Sequence, residues 1–93
     1  MALQARLAIT GRVQGVGYRD WAVATGQRLG LSGWVRNRTD GSVEAVVRGQ
    51  ALRSETFIAG CHAGPPLARV TAVDAASDDA LDLEPGFRQL PTD

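Results

Sequence analysis

The sequence has few of the residues that build disulfide frameworks and metal centres. Its 93 residues include one cysteine, Cys61, and one histidine, His62. A single cysteine excludes an internal disulfide framework and any multi-cysteine metal site. We therefore expect no metal or other cofactor, and we interpret Cys61 as a small buried apolar residue.

Long hydrophobic runs are also absent. No run approaches the roughly 20 apolar residues of a membrane-spanning helix. Gln4 and Arg6 interrupt the apolar N-terminal stretch, where a signal peptide requires continuity. An apolar fraction of 44% and a charged fraction of 22% are typical of soluble globular proteins. We expect one domain over residues 1–93, monomeric, cytoplasmic and not bound to a membrane.

The chain contains no lysine, and its ten arginines balance ten acidic residues. Zero net charge argues against sequence-independent nucleic-acid binding, which requires many phosphate contacts. The charge is unevenly distributed, however. Residues 1–48 carry seven arginines and three acidic residues, a net charge of +4, whereas residues 49–93 carry three and seven, a net charge of −4. The first half therefore suits a small anionic ligand rather than a nucleic acid.

Hydrophobic periodicity predicts the element order strand, helix, strand, strand, helix, strand. An Asp-Gly turn at residues 40–41 joins the second and third strands as a hairpin. The predicted strands are 3–10, 33–37, 42–48 and 68–75, and the predicted helices are 20–29 and 51–61. This order indicates an α+β split βαβ sandwich, with two helices on one face of a four-stranded antiparallel sheet. An acidic loop, 77–86, precedes a short segment, 87–90, that is suited to a fifth strand.

A glycine-rich loop links the first strand to the first helix, where residues 11–19 read GRVQGVGYR. Gly15 and Gly17 permit positive φ, so that successive backbone N–H groups can converge on one point. The first turn of the following helix adds unpaired donors and the positive end of its dipole. Arg19 offers a planar fork that matches two phosphate oxygens. The loop therefore predicts an oxyanion site, above all for phosphate.

The predicted topology brings Asn37, at the end of the second strand, close to this loop. The loop lacks the lysine of a nucleotide-binding P-loop, and no cluster of acidic residues and histidine surrounds it. Such a site can still hydrolyse a phosphoryl compound whose leaving group departs without a proton. An acyl phosphate qualifies, because its leaving group is a carboxylate whose acid has a pKa of about 4–5. Positioning and charge stabilisation are then the main requirements.

These residues resemble the signatures of the acylphosphatases. The string GRVQGVGYR is similar to the family's first signature, and residues 33–37, which read GWVRN, resemble the second together with the following DGSV at 40–43. Gly64, Pro65 and Phe87 match the looser pattern of the family's second half. The resemblance covers nearly the whole chain.

The resemblance implies a ferredoxin-like βαββαβ sandwich and a metal-independent hydrolase that converts acyl phosphates to a carboxylate and inorganic phosphate. It implies that Arg19 binds the phosphoryl group and that Asn37 orients the attacking water, while a phosphate oxygen of the substrate accepts the proton. The backbone amides that would form the phosphate cradle belong to Gln14, Gly15, Val16, Gly17 and Tyr18.

Several simpler interpretations remain open. The glycine loop can be a structural turn, Asn37 a turn residue and Arg19 a solvated helix residue. An RNA-binding module of this fold would carry aromatic residues on strand 42–48, which has none. An accessory domain that binds carbamoyl phosphate or a protein partner, with little turnover, is the alternative function. Acetyl phosphate, carbamoyl phosphate and 1,3-bisphosphoglycerate present the same phosphoryl end, so the sequence does not distinguish these substrates.

Overall fold

Seven elements follow one another in the order β-α-β-β-α-β-β in the computed structural model, which describes residues 1–78 and 82–93. They are β1 (Ala2–Arg12), α1 (Tyr18–Arg28), β2 (Ser32–Asn37), β3 (Val43–Gln50), α2 (Ala51–Cys61), β4 (Arg69–Ser77) and β5 (Phe87–Gln89). Every predicted element is present, and most ends differ by one or two residues. Residues 79–81 of the predicted acidic loop lie outside the described residues.

The sheet has the strand order β4-β1-β3-β2-β5. All neighbouring strands are antiparallel except β5, which runs parallel to β2 and pairs Gly33 with Phe87 and Val35 with Gln89. The sheet is therefore five-stranded and mixed, whereas the sequence predicted four antiparallel strands with the fifth as an option. Three residues are too few for side-chain alternation to reveal how a strand pairs.

Both helices cover one face of this sheet and bury the hydrophobic core. In α1, Tyr18, Ala22 and Thr25 are buried, and Trp21 packs against the core. Fully buried side chains from the sheet and from α2 complete the core; among them are Leu7, Ile9, Val35, Val47 and Phe57. Burial of one such side chain contributes about 1.5–3 kcal/mol to folding.

Gly26 in α1 has a packing role that its poor helix propensity does not suggest. A Cβ at this position would lie 2.5 Å from the ring of Phe87. The absence of a side chain therefore lets the Phe87 ring lie directly against the helix backbone. This contact anchors β5 beside β2, where Phe87 pairs with Gly33.

Tyr18 and Cys61 connect the start of α1 to the end of α2. The Tyr18 hydroxyl donates a hydrogen bond of 2.6 Å to the main-chain oxygen of Cys61. Both side chains are buried, as predicted for Cys61. Burial raises the pKa of the Cys61 thiol to about 12 and also raises the pKa of the Tyr18 phenol.

Alkaline pH is expected to destabilise the fold through these two groups. Because their pKa values are raised in the folded state, the unfolded chain releases the protons first, and the free energy of unfolding falls as pH rises. The fall begins near the ordinary cysteine pKa of about 8.5, and each group contributes at most about 1.4 kcal/mol per pH unit. Urea unfolding between about pH 8.5 and 10 measures mainly the thiol, since the phenol ionises in the unfolded chain near pH 10. Cys61→Ala should flatten this part of the profile, and an unchanged slope would contradict the assignment.

Candidate active site

The loop between β1 and α1 contains a run of backbone donors that have no partner among the described residues. Gly15 and Gly17 have φ values of +72° and +83°, in the left-handed region. A Cβ at either position would meet nothing within 4 Å, so the requirement for glycine is conformational rather than spatial. Within the described part of the chain, the N–H groups of residues 14–17 donate to no other group. The loop can therefore direct these donors at an anion.

The Gln14 side chain ties this loop to the β2–β3 hairpin. Its amide nitrogen donates to the main-chain oxygens of Arg38 and Ser42, at 2.8 and 2.9 Å. Sequence reasoning assigned Gln14 to the cradle through its backbone only and missed this role of the side chain. The two hydrogen bonds hold the loop against the residues that immediately follow Asn37.

Gln14→Ala is expected to lower the free energy of unfolding by about 1–3 kcal/mol, because it leaves two carbonyl oxygens without this donor. Urea denaturation at neutral pH measures the effect. Gln50→Ala is the matched control, since Gln50 is exposed and makes no side-chain cap at the start of α2. Equal stability of the wild type and the Gln14 variant would show that the side chain does not hold the loop.

A cavity of about 180 Å³ opens between the loop, the start of α1 and the end of β2. Its lining residues are Val13, Gly15, Gly17, Tyr18, Arg19, Asp20 and Asn37. Five of the seven predicted site residues are therefore brought together. Gln14 faces the hairpin instead, and Val16 is buried with the core. Asp20 was not predicted, because a single acidic residue in the first turn of a helix usually only stabilises that helix.

Arg19 and Asn37 both have unused hydrogen-bonding capacity in this cavity. The half-buried Arg19 makes no ion pair with any residue that the structure describes. Asn37 is only 9% exposed, and its Oδ1 atom is buried without a hydrogen-bond partner in the described chain. Leaving a buried polar atom unpaired costs about 1–3 kcal/mol. Such an atom is therefore a candidate for contact with a ligand or water.

The backbone of Asn37 is held from both sides. In the sheet it pairs with Val43 of β3. On its other side, the N–H of Asp93 donates to the Asn37 main-chain oxygen at 3.1 Å, and Thr39 donates to a main-chain oxygen of Asp93 at 3.0 Å. The position of the Asn37 side chain is thus set by a fixed backbone.

The neighbouring arginines of β2 and the hairpin form ion pairs with a carboxylate that does not line the cavity. Arg36 and Arg38 each lie 2.8 Å from the Glu44 carboxylate, which also pairs with Arg6. Burial disfavours ionisation of Glu44, but hydrogen bonds from the three arginines outweigh burial and hold its pKa below the usual range. Among the described residues that line the cavity, Arg19 is the one basic side chain and can donate to an anion there.

The arrangement can bind a small oxyanion and place a neutral amide beside it. Among residues 1–78 and 82–93, no group of three or more His, Cys, Asp or Glu side chains is placed to hold a metal ion. The site thus offers positioned hydrogen-bond donors and the positive charge of Arg19.

No helix in the part of the chain that the structure describes is long and apolar enough to cross a membrane.

Fold and site together define a small α+β sandwich with a glycine-rich loop and a cavity between its first strand and first helix. Comparison with known proteins identifies this class more closely. The Acylphosphatase family matches residues 5–89. The chain belongs to the acylphosphatase family, which confirms the resemblance, the ferredoxin-like fold and the acylphosphatase type of enzyme predicted from the signatures.

Two acylphosphatases match this chain over most of their own length, and one larger protein matches it over a short part. An acylphosphatase of Azoarcus sp. (strain BH72) is 58% identical over 89 residues, which cover 92% of this chain and 87% of the relative. The crystal structure of acylphosphatase from Bacillus subtilis superposes with a TM-score of 0.90 at 32% identity and covers 97% of this chain and 99% of that one. The structure of HypF from T. kodakarensis matches with a TM-score of 0.82 at 27% identity, but there the match spans only 12% of the larger chain.

Proposed function

We propose that this protein hydrolyses acyl phosphates to a carboxylate and inorganic phosphate, with Arg19 and Asn37 as its catalytic residues. One observation carries the proposal. Arg19 and Asn37 line the same cavity as the glycine loop. Among the described residues Arg19 has no ion-pair partner, and the buried amide oxygen of Asn37 has no hydrogen-bond partner. A phosphoryl group placed there would lie in a cavity lined by the loop glycines, Arg19 and Asn37.

The reaction is an in-line displacement at phosphorus. The oxygen of water forms a bond to phosphorus while the bond from phosphorus to the acyl oxygen breaks, and the electron pair of that bond leaves with the carboxylate. A proton of the water passes to a phosphate oxygen, so an acyl phosphate dianion and water yield a carboxylate and dihydrogen phosphate. The leaving group needs no general acid, because carboxylic acids have pKa values of about 4–5.

Each residue has a distinct part in this reaction. Arg19 binds two oxygens of the phosphoryl group and stabilises their charge in the transition state. The side-chain amide of Asn37 hydrogen-bonds to the attacking water and so orients it. The loop amides of residues 14–18 complete the cradle, and the side chain of Gln14 keeps the loop in place.

The wider predictions from the sequence belong to this proposal. We propose that residues 1–93 act as one domain, as a monomer in the cytoplasm, on a small molecule rather than a nucleic acid, and without a metal ion. The neutral total charge supports a small-molecule substrate over a nucleic acid, and the low content of cysteine and histidine supports metal independence.

Phosphate release from benzoyl phosphate in the presence of EDTA tests the proposal. We expect saturable turnover that the chelator does not reduce. The alternative, an accessory domain with little turnover, is motivated by the match to a short part of HypF. Protein that binds inorganic phosphate in calorimetry but releases none from benzoyl phosphate would favour that alternative, and activity that disappears with EDTA would refute metal independence.

A further inference from the structure

Asp20 lies at the edge of the cavity with its carboxylate held in place. It is the third residue of α1 and directly follows Arg19. The side-chain amide of Gln89, at the end of β5, donates to a carboxylate oxygen of Asp20 at 2.6 Å. This hydrogen bond fixes an otherwise exposed carboxylate among the residues that line the cavity.

Asp20 also has a particular place in the charge balance of the site. Of the described residues that line the cavity, Arg19 and Asp20 are the charged ones. In the proposed reaction, Arg19 engages the phosphoryl group and its charge is then matched by phosphate oxygens. Among the described lining residues, Asp20 is then the formal charge that the phosphoryl group does not match.

We propose that Asp20 is a specificity-determining residue that selects acyl phosphates by the charge of the acyl group. The inference rests on the proposed function and deepens it. Substrates whose acyl part is neutral or cationic are favoured, and substrates with a second carboxylate or phosphate are disfavoured. Two like charges several ångströms apart at a solvated surface repel weakly, so the discrimination is about three- to tenfold.

Three substrates that share one frame test this proposal: benzoyl phosphate, 4-carboxybenzoyl phosphate and 4-(trimethylammonio)benzoyl phosphate. The quantity measured is kcat/KM for the anionic substrate divided by kcat/KM for the neutral one. Asp20→Asn keeps an acceptor for Gln89 and is expected to raise this ratio about three- to tenfold, while lowering the corresponding cationic-to-neutral ratio. Dividing the ratio measured for the variant by the ratio measured for the wild type cancels the electronic effect of each substituent on the leaving group.

Asp74→Asn is the matched control, because Asp74 is an exposed residue of β4, at the opposite edge of the sheet from β5, and its replacement changes the net charge equally. Its ratios should equal those of the wild type.

About 1 M salt should reduce the wild-type discrimination between anionic and neutral substrates through screening, which a purely helix-stabilising role of Asp20 would not predict. Ratios that Asp20→Asn leaves unchanged, or that Asp74→Asn changes as much, would overturn the inference. Wild-type protein that hydrolyses none of the three substrates would instead overturn the proposed function.

Discussion

Arg19→Ala is expected to reduce kcat/KM for benzoyl phosphate by roughly 10³- to 10⁵-fold, the range found when an arginine that stabilises phosphoryl transfer is missing. Arg19 makes no ion pair with described residues, so its removal leaves no protein carboxylate unbalanced. The loss should therefore be one of catalysis and not of stability. Steady-state phosphate release measures it, with urea unfolding alongside.

Two further variants sharpen this prediction. Arg19→Lys retains the positive charge but loses the planar fork, so its activity should lie between those of the wild type and the alanine variant. Arg28→Ala removes an exposed arginine from the last turn of the same helix and should behave as the wild type. If Arg19→Ala kept more than about one tenth of the wild-type kcat/KM, the assigned role of Arg19 in transfer would be wrong.

Asn37→Ala should lower kcat by roughly 10²- to 10³-fold, comparable to the loss of one preorganised hydrogen-bonding group in an active site. The inhibition constant of inorganic phosphate should change far less, because Arg19 and the loop amides remain. This separation of kcat from phosphate affinity is the signature of a residue that orients water. Parallel measurements of kcat and of competitive inhibition by phosphate provide the test.

Stability provides the control for the Asn37 variant. The Oδ1 atom of Asn37 is buried and unpartnered in the described chain, so its removal breaks no protein hydrogen bond and relieves an unsatisfied group. The alanine variant should thus unfold at a urea concentration equal to or above that of the wild type. A large loss of stability, or equal losses in kcat and phosphate affinity, would indicate a structural role instead.

Much of the fold could be predicted from the sequence because the dominant signals are local. Alternation at residues 3–9 determines which face of β1 is buried, and the Asp-Gly pair at 40–41 identifies the hairpin. The element order then limits the topology to very few arrangements, which is why Asn37 could be placed beside the glycine loop. Its catalytic role and that of Arg19 stay predictions until the variants are measured.

The features that were missed depend on contacts between residues distant in sequence. The parallel pairing of β5 and the fixed position of Asp20 both require knowledge of where residues 87–89 lie. Gly26 suggests only a weakened helix until Phe87 is seen packed against it. Likewise, the Gln14 side chain finds its acceptors 24 and 28 residues further along the chain, beyond the reach of any local pattern.

Isotope labelling of the products tests the central claim most directly. Benzoyl phosphate is hydrolysed by the protein in water enriched in oxygen-18, with EDTA present, and both products are examined by mass spectrometry. Attack of water on phosphorus predicts one labelled oxygen in the released phosphate and none in the benzoate. Label in the benzoate would show attack at the acyl carbon and would contradict the roles assigned to Arg19, Asn37 and the glycine loop.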